Sequence, residues 1–399
     1  MPKVSILIPA YNVENYIEEC LGSVLGQSLQ DFEIICVDDC STDKTPEILK
    51  EYTRTDKRIT YARHVQNLGQ SAARNRALMM AKGEYVYMLD ADDRIVSGAL
   101  QELYDICSAD KLDVIGFETR NFSDDPAFEE NVRIKTVSYD DTDILDGRDA
   151  LTYCMEHESF SLSTPTFMMR REYLITNDIL FTEGILHEDV GYIFELLTRA
   201  DRVRFLHRIL FERRIRANST MTKGFTSKNI EGYLKSFYKS FEMENEMKDY
   251  FSEKSSFEKA YRKWQRDIFG RLNQLYVASA DTISLEEGGN VNEEIRRAFE
   301  MVKLMHYRTA PLGIKECYLT GTGQYTGRAI EAVGAQGIII RGIIVLEKTS
   351  EAFAGFPLLK AEEADKSIPV VISVSKYSRE EYEEALKSAG ITELIQFDY

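Results

Sequence analysis

The chain is poor in the features that mark specialised proteins. Only 8 prolines and 1 tryptophan occur among 399 residues, and no low-complexity tract appears. That excludes a proline-rich linker or a disordered scaffold. No apolar run is long enough to cross a bilayer, and the longest late one, Ile338 to Leu346, is broken by Arg341 and Gly342. The amino-terminal stretch MPKVSILIPAYN is likewise too short for a signal-peptide core. Basic residues are in deficit, 49 Lys and Arg against 66 Asp and Glu, for a net charge of −17. This argues against a nucleic-acid partner, which needs a basic face. The 6 cysteines, at positions 20, 36, 40, 107, 154 and 317, form no C-x-x-C pair. Reduced thiols in a cytoplasmic protein are therefore expected. What is left is an ordinary globular composition, 44% hydrophobic and 29% charged, at a length that calls for two or three domains.

The first part of the chain alternates strand and helix. Val4–Ile8 reads as a buried strand ending at Pro9-Ala10-Tyr11-Asn12, and a helix follows with Ile17, Cys20, Leu21 and Val24 on one face. Phe32–Val37 is a second strand closed by Asp38-Asp39. Thr45 is then placed to cap a helix with Pro46 at its first position. Ile59–Ala62 is a short third strand, and a helix through Ala72–Ala81 leads to the strand Tyr85–Leu89. Ser97 is expected to cap the next helix, before a strand at Asp113–Phe117. Such alternation predicts a mostly parallel α/β sheet with helices on both faces. Ligands in these sheets bind beyond the carboxyl ends of the strands. Three polar clusters fall at such ends: Pro9–Asn12, Asp38–Asp39 and Asp90–Asp93.

The third cluster carries the most chemistry. In GEYVYMLDADD an apolar run ends abruptly in Asp90, Asp92 and Asp93. Crowded carboxylates repel one another and resist dehydration, and a hard divalent cation, Mg²⁺ or Mn²⁺, relieves both costs. The pattern alone decides little, because Asp141-Thr142-Asp143 is also D-x-D yet follows no strand. Residues 121 to about 160 are acidic and irregular and read as an insertion or lid, after which Ser163–Met169 reads as a strand. In GILHEDVGYIFELLTRA, Val190, Ile193, Phe194 and Leu197 form a helical face, with His187, Glu188 and Asp189 in the first turn. The helix dipole there favours an ionised carboxylate, as a general base requires. Clustered arginines follow in FERRIRANSTM.

VSILIPAYN, VDDCSTDKT, NLGQSAARNRAL, GEYVYMLDADD and HEDV, in this order, resemble glycosyltransferase family 2 with its GT-A fold, over residues 3 to about 220. The resemblance implies an inverting transferase for nucleotide-diphosphate sugars. Pro9, Ala10 and Tyr11 match the lining of the nucleobase site, and Asp39 the contact to base or ribose. Asp90 matches the contact to sugar or ribose, and Asp92 the ligand of a Mn²⁺ or Mg²⁺ ion that bridges the diphosphate. Asp189 matches the catalytic base, with Glu188 beside it, and His187 is a further candidate. Arg74 and Arg216, the latter on a segment resembling the family's closing loop, are candidates for the diphosphate oxygens. The family commonly builds bacterial surface glycans, which implies a glycan or lipid-linked acceptor and peripheral contact with the inner membrane face.

Three regions follow from the whole reading: a GT-A domain at 1–224, a charged helical segment at 225–310 and a small Rossmann-like α/β unit at 311–399. The helical segment could supply membrane-surface or homo-oligomer contacts. The last unit resembles Rossmann-like domains attached to sugar acyltransferases and methyltransferases. In YLTGTGQYTG its glycines are Gly321, Gly323 and Gly327, the third one place late for a nucleotide fingerprint, and close packing explains them equally well. Two other readings stay open. A nucleotidyltransferase shares the architecture, but its Gly-rich basic loop is replaced here by PAYNVEN. A non-catalytic nucleotide-sugar-binding or assembly protein would not need Asp90, Asp92 and Asp189.

Overall fold

The computed structural model describes residues 1–133, 136–216, 227–247, 251, 255–279, 314–322, 326, 329–330, 333, 338–348, 350, 352–374 and 378–396. The chain forms two compact units, Met1–Val291 and Asn292–Tyr399. The first opens with β1 (Val4–Ala10), α1 (Ile17–Leu25), β2 (Phe32–Asp38), α2 (Thr45–Thr55), β3 (Ile59–Arg63), α3 (Gln70–Met80) and β4 (Tyr85–Met88). It continues through β5 (Arg94–Ile95), α4 (Ala99–Asp110), β6 (Val114–Phe122), the short α5 (Glu129–Val132), α6 (Gly147–Glu156), β7 (Phe167–Arg170) and α7 (Arg171–Thr176). Then come α8 (Glu188–Thr198), β8 (Val203–Arg214), α9 (Ser227–Glu246) and α10 (Ser256–Ser279).

Among the described residues, these strands make one eight-stranded sheet in the order β3-β2-β1-β4-β7-β6-β8-β5. β1 pairs in parallel with both β2 and β4, while β7 runs antiparallel to β4 and β6. β1 is buried along its whole length. Its side chains alternate: Val4, Ile6 and Ile8 join a core with α1 and α4, and Leu7 joins a second core with α3, α6 and α8. A strand buried on both faces reads as a continuous apolar run, which is why VSILI is legible.

Local chemistry moves several boundaries. Thr45 does not cap α2: the Asp43 carboxylate accepts from Thr45 N–H at 3.0 Å, and the Thr45 hydroxyl accepts from Val13 N–H at 2.9 Å. Likewise Gly98, not Ser97, precedes α4, in the left-handed conformation that glycine tolerates. The strand expected from Ser163 begins only at Phe167, after a 3₁₀ turn at Thr164–Thr166. Pro165 has no N–H to give a ladder, and the Thr166 hydroxyl closes the turn on the Ser163 carbonyl at 2.7 Å. Within the expected lid, α6 is a core helix: Asp146 caps it, and Ala150, Leu151 and Cys154 are fully buried.

Helices α9 and α10 pack on the face of α8 that points away from the sheet. Trp264 stacks on Phe194 at 3.8 Å, and Tyr261 meets Phe194 edge-on at 5.0 Å. The Tyr261 hydroxyl donates to the Ser240 carbonyl, fastening α10 to α9, and Lys239 pairs with buried Glu195.

The second unit contains β9 (Glu316–Thr320), β10 (Ile339–Ile344), β11 (Ala352–Phe353), β12 (Phe356–Leu359), β13 (Val370–Ile372), α11 (Arg379–Ser388) and β14 (Leu394–Gln396). Its described strands order as β11-β12-β10-β9-β13-β14, parallel except for the β11–β12 hairpin. That hairpin lies between β10 and β13. It turns at Ala354-Gly355, both at positive φ, and nothing in an Ala-Gly pair announces such a turn. Gly321 has φ +75°, whereas Gly323 and Gly327 lie outside the described residues.

The approach of α9 to the residues before α8 is tight enough to test. A Cβ at Gly232 of α9 would overlap the carbonyl oxygen of Leu186, just ahead of α8. Gly232→Ala should therefore cost about 1–3 kcal/mol or more. The expected readout is a fall of several degrees in Tm, whereas Gly270→Ala, with nothing within 4 Å of its Cβ, should leave Tm unchanged or slightly raised.

Candidate active site

The register brings the carboxyl ends of β1, β2 and β4 together, with Ala10 opposite Asp38 and Leu7 opposite Met88. At the end of β1, Asn12 takes positive φ. Its N–H donates to the Ser41 hydroxyl at 3.0 Å, and its side chain accepts from Thr42 N–H at 2.8 Å. Pro9 and Ala10 line this edge as buried backbone, and the Tyr11 ring is half exposed.

The two aspartates after β2 have different work. Asp38 is fully buried and accepts from Ser41 N–H, the Tyr61 hydroxyl and Arg63. Asp39 holds the loop before α3: Oδ1 meets His64 Nδ1 at 2.7 Å and Leu68 N–H at 2.9 Å, and Oδ2 accepts from Gly69 N–H at 2.7 Å. A carboxylate offers about four acceptor sites, so most of the Asp39 capacity is already used within the chain.

The centre of the site is Arg74, which projects from α3 and is only 1% exposed. Its Nη2 donates to Asp90 Oδ1 at 2.8 Å, and its Nη1 donates to Glu188 Oε1 and Asp189 Oδ1, both at 2.9 Å. The guanidinium lies 5.0 Å from the centre of the Phe181 ring, which itself stacks on Tyr192 at 3.8 Å. Asn75 holds Phe181 there through two backbone hydrogen bonds. One buried cation thus joins the loop after β4 to the first turn of α8. Gln70 adds a second donor to Asp90 Oδ1 at 2.9 Å, and the Thr164 hydroxyl a second donor to Asp189 Oδ1 at 2.7 Å.

The remaining aspartates of the loop divide. Asp93 turns inward and accepts from Arg214 N–H at 2.7 Å; burial, then the charges of Asp92 and Asp90, push its carboxyl well above the usual range. Asp92 is partly exposed and pairs with Arg216 Nε at 2.7 Å; burial pushes it up, against the pull of Arg216. Arg216 and Arg214 both lie over the Tyr16 ring, and Arg214 also pairs with Glu19. Asn218 and Ser219, which follow Arg216 in the expected closing loop, lie outside the described residues. Arg76 points elsewhere, to the Arg63 carbonyl. His187 precedes α8 at φ +60°, with its ring beside Tyr233 and Nε2 3.0 Å from Asn229, and burial holds it below its ordinary value.

Asp92 fits a divalent cation as a hard oxygen donor on a crowded acidic loop. Among the described residues, no three His, Cys, Asp or Glu side chains are arranged to hold a metal by themselves. Coordination through one or two carboxylates completed by substrate phosphate oxygens suits Mg²⁺, which seldom uses an all-protein cage. The other D-x-D stays apart, with Asp141 accepting from His207 N–H on β8 at 2.9 Å.

Residues 5–176 match the model of glycosyl transferase family 2. They form a family 2 glycosyl transferase domain. The uncharacterized glycosyltransferase EpsJ of Bacillus subtilis is 33% identical over 229 residues, covering 55% of this chain and 63% of EpsJ. The putative teichuronic acid biosynthesis glycosyltransferase TuaG of the same organism is 48% identical over 93 residues, covering 23% of this chain and 37% of TuaG. The chain thus spans less than two thirds of either curated relative. In fold it is similar to S. aureus TarS 1–349, solved in complex with UDP-GlcNAc, at a TM-score of 0.57 and 20% identity over 89% of this chain and 98% of that one. The family 2 match lies wholly within the first unit.

Motif reading missed Thr164, Gln70 and Phe181. Gln70 had a signal, since it opens α3 inside the NLGQSAARNRAL motif. Thr164 had none, because its turn falls in Ser163–Met169, a segment that reads as a strand.

Glu188 provides a pH test. Burial, then the adjacent Asp189 charge, pushes it up to about 7. A carboxyl raised in the folded state binds a proton there that the unfolded chain has released, so stability from this group falls as pH rises from about 4.5 to 7. Glu188→Gln should flatten that decline and raise Tm more at pH 8 than at pH 5, by about 2–4 °C for each kcal/mol relieved. An equal change at both pH values would show that Glu188 is not the titrating group.

Proposed function

We propose that this protein moves a sugar from a nucleotide-diphosphate sugar to an acceptor hydroxyl with inversion, and that Asp189 is the general base. The observation that supports this reading most is the Arg74 bridge: it sets Asp189, at the start of α8, against Asp90 at the carboxyl end of β4. A base facing a donor loop across the sheet edge is the arrangement that an in-line displacement needs.

In this reading the donor lies over Pro9, Ala10, Tyr11 and Asp39, with its diphosphate toward Asp92 and Arg216. Asp189 takes the proton of the acceptor hydroxyl, the oxygen forms its bond to C1, and the bond from C1 to the diphosphate breaks. A divalent cation, when bound at Asp92, neutralises charge on the departing diphosphate. Arg216 neutralises part of the same charge from the protein side. The teichuronic acid in TuaG's name points to a bacterial surface glycan as acceptor, and the UDP-GlcNAc of the TarS complex makes UDP-sugars the first donors to try. No helix among the described residues is long and apolar enough to cross a membrane, and a lipid-linked acceptor would be met at the membrane surface.

Two variants test the roles. Asp189→Asn should lower kcat by about 10²–10⁴-fold, the usual span of general-base catalysis, while leaving nucleotide affinity within a few-fold by calorimetry. Full activity in that variant removes Asp189 as the base. Asp92→Ala should abolish the part of UDP binding that depends on Mn²⁺; binding unchanged with and without EDTA would remove Asp92 from that role.

A further inference from the structure

We propose that Arg74 is a positioning residue for the transfer reaction rather than a diphosphate ligand, and that it and Thr164 hold the base by Oδ1 so that Oδ2 meets the acceptor hydroxyl. The inference rests on Asp189 as the base. Among the described residues, both recorded hydrogen bonds to the Asp189 carboxylate fall on Oδ1: Arg74 Nη1 at 2.9 Å and the Thr164 hydroxyl at 2.7 Å. Two donors on one oxygen restrain rotation about the Cβ–Cγ bond and so set where the second oxygen points.

The guanidinium is spent inside the protein. Nη1 serves Glu188 and Asp189, Nη2 serves Asp90, and Nε is buried without a partner among the described residues, beside the Phe181 face. Three of its five N–H donors already serve carboxylates, and a group 1% exposed cannot bring the other two to a diphosphate without breaking those pairs. Its planar fork spans Asp90 and Asp189 at once, which the point charge of a lysine does not reproduce.

The charge matters as much as the geometry. Asp189 faces Arg74 from α3, Asp90 from the loop after β4, and His187, Glu188 and Tyr192 from its own helix and its start. Arg74 is the permanent cation in that set, against three carboxylates. Without it, Asp90, Glu188 and Asp189 face one another with no permanent cation among them, and the pH profile of transfer reports that loss.

The experiment measures transfer and UDP binding for the wild type, Arg74→Gln, Arg74→Lys and Thr164→Val across pH 5 to 9. Arg74→Gln should lower kcat by at least about 10²-fold. It should also move the acidic limb of the kcat profile up by about 1–3 pH units, with UDP affinity changed by less than about 3-fold. Arg74→Lys, which keeps the charge and loses the fork, should restore the limb toward wild type while kcat stays depressed. Thr164→Val removes only the uncharged donor and should lower kcat with little movement of the limb, and it carries the test if the Arg74 variants fail to fold. Loss of UDP affinity in Arg74→Gln with the limb unmoved would overturn the inference in favour of a diphosphate contact. An unchanged kcat in Thr164→Val would overturn the role of Oδ1. A wild type that transfers no sugar from any nucleotide donor would instead overturn the reading of the function on which the inference rests.

Discussion

One buried guanidinium organises this site. Arg74 sits among Asp90, Glu188 and Asp189, and the three carboxylates come from two segments about 100 residues apart in the chain. Bringing three like charges together out of water is unfavourable, and a single cation cannot neutralise them all. The structure answers with hydrogen bonds from Gln70 and Thr164 and with a Glu188 carboxyl that is easily protonated. Removing one partner from a buried ionic cluster typically costs about 3–5 kcal/mol, so the loop after β4 and the start of α8 hold each other in place.

The scaffold makes that contact rigid from both sides. Beneath Arg74, Asn75 pins Phe181, and Phe181 lies flat on Tyr192 of the base helix. Behind α8, Phe194 stacks on Trp264 of α10, and Gly232 lets α9 close on the Leu186 backbone. The charged helical stretch of the sequence thus buries an aromatic face against the helix that carries Asp189. Side chains in such close-packed interiors transmit small displacements instead of absorbing them.

Much of this was legible before any coordinate. Strand runs such as VSILI and EYVYM are buried on both faces, so their apolar character is continuous and their ends are abrupt. The carboxylates that follow them therefore fall on one edge of a parallel sheet. What could not be read was partnership. Arg74 in SAARNRA reads as a candidate for the diphosphate oxygens, because no sequence period shows that Glu188 and Asp189 will meet it from far along the chain. Thr164 was hidden for the same reason, and so was the antiparallel insertion of β7, since Pro165 marks a turn but not the direction of the strand after it. The Ala354-Gly355 hairpin escaped because its turn adopts left-handed angles without the Asn or Asp that usually advertises them.

The register of β4 has a consequence for how the gene can vary. Leu7 lies opposite Met88, and Leu89 N–H continues the ladder to the Leu7 carbonyl, so the count of residues from Tyr85 to Leu89 is fixed by the neighbouring strand. Side chains alternate faces along Tyr85–Met88, and an insertion or deletion of one residue there would turn the core side chains of β4 to the other face. Substitutions along this segment trade one side chain for another, but a codon gained or lost would shift the start of the Asp90–Asp93 loop against the end of β1. Length, more than identity, is what selection must guard between Tyr85 and Leu89.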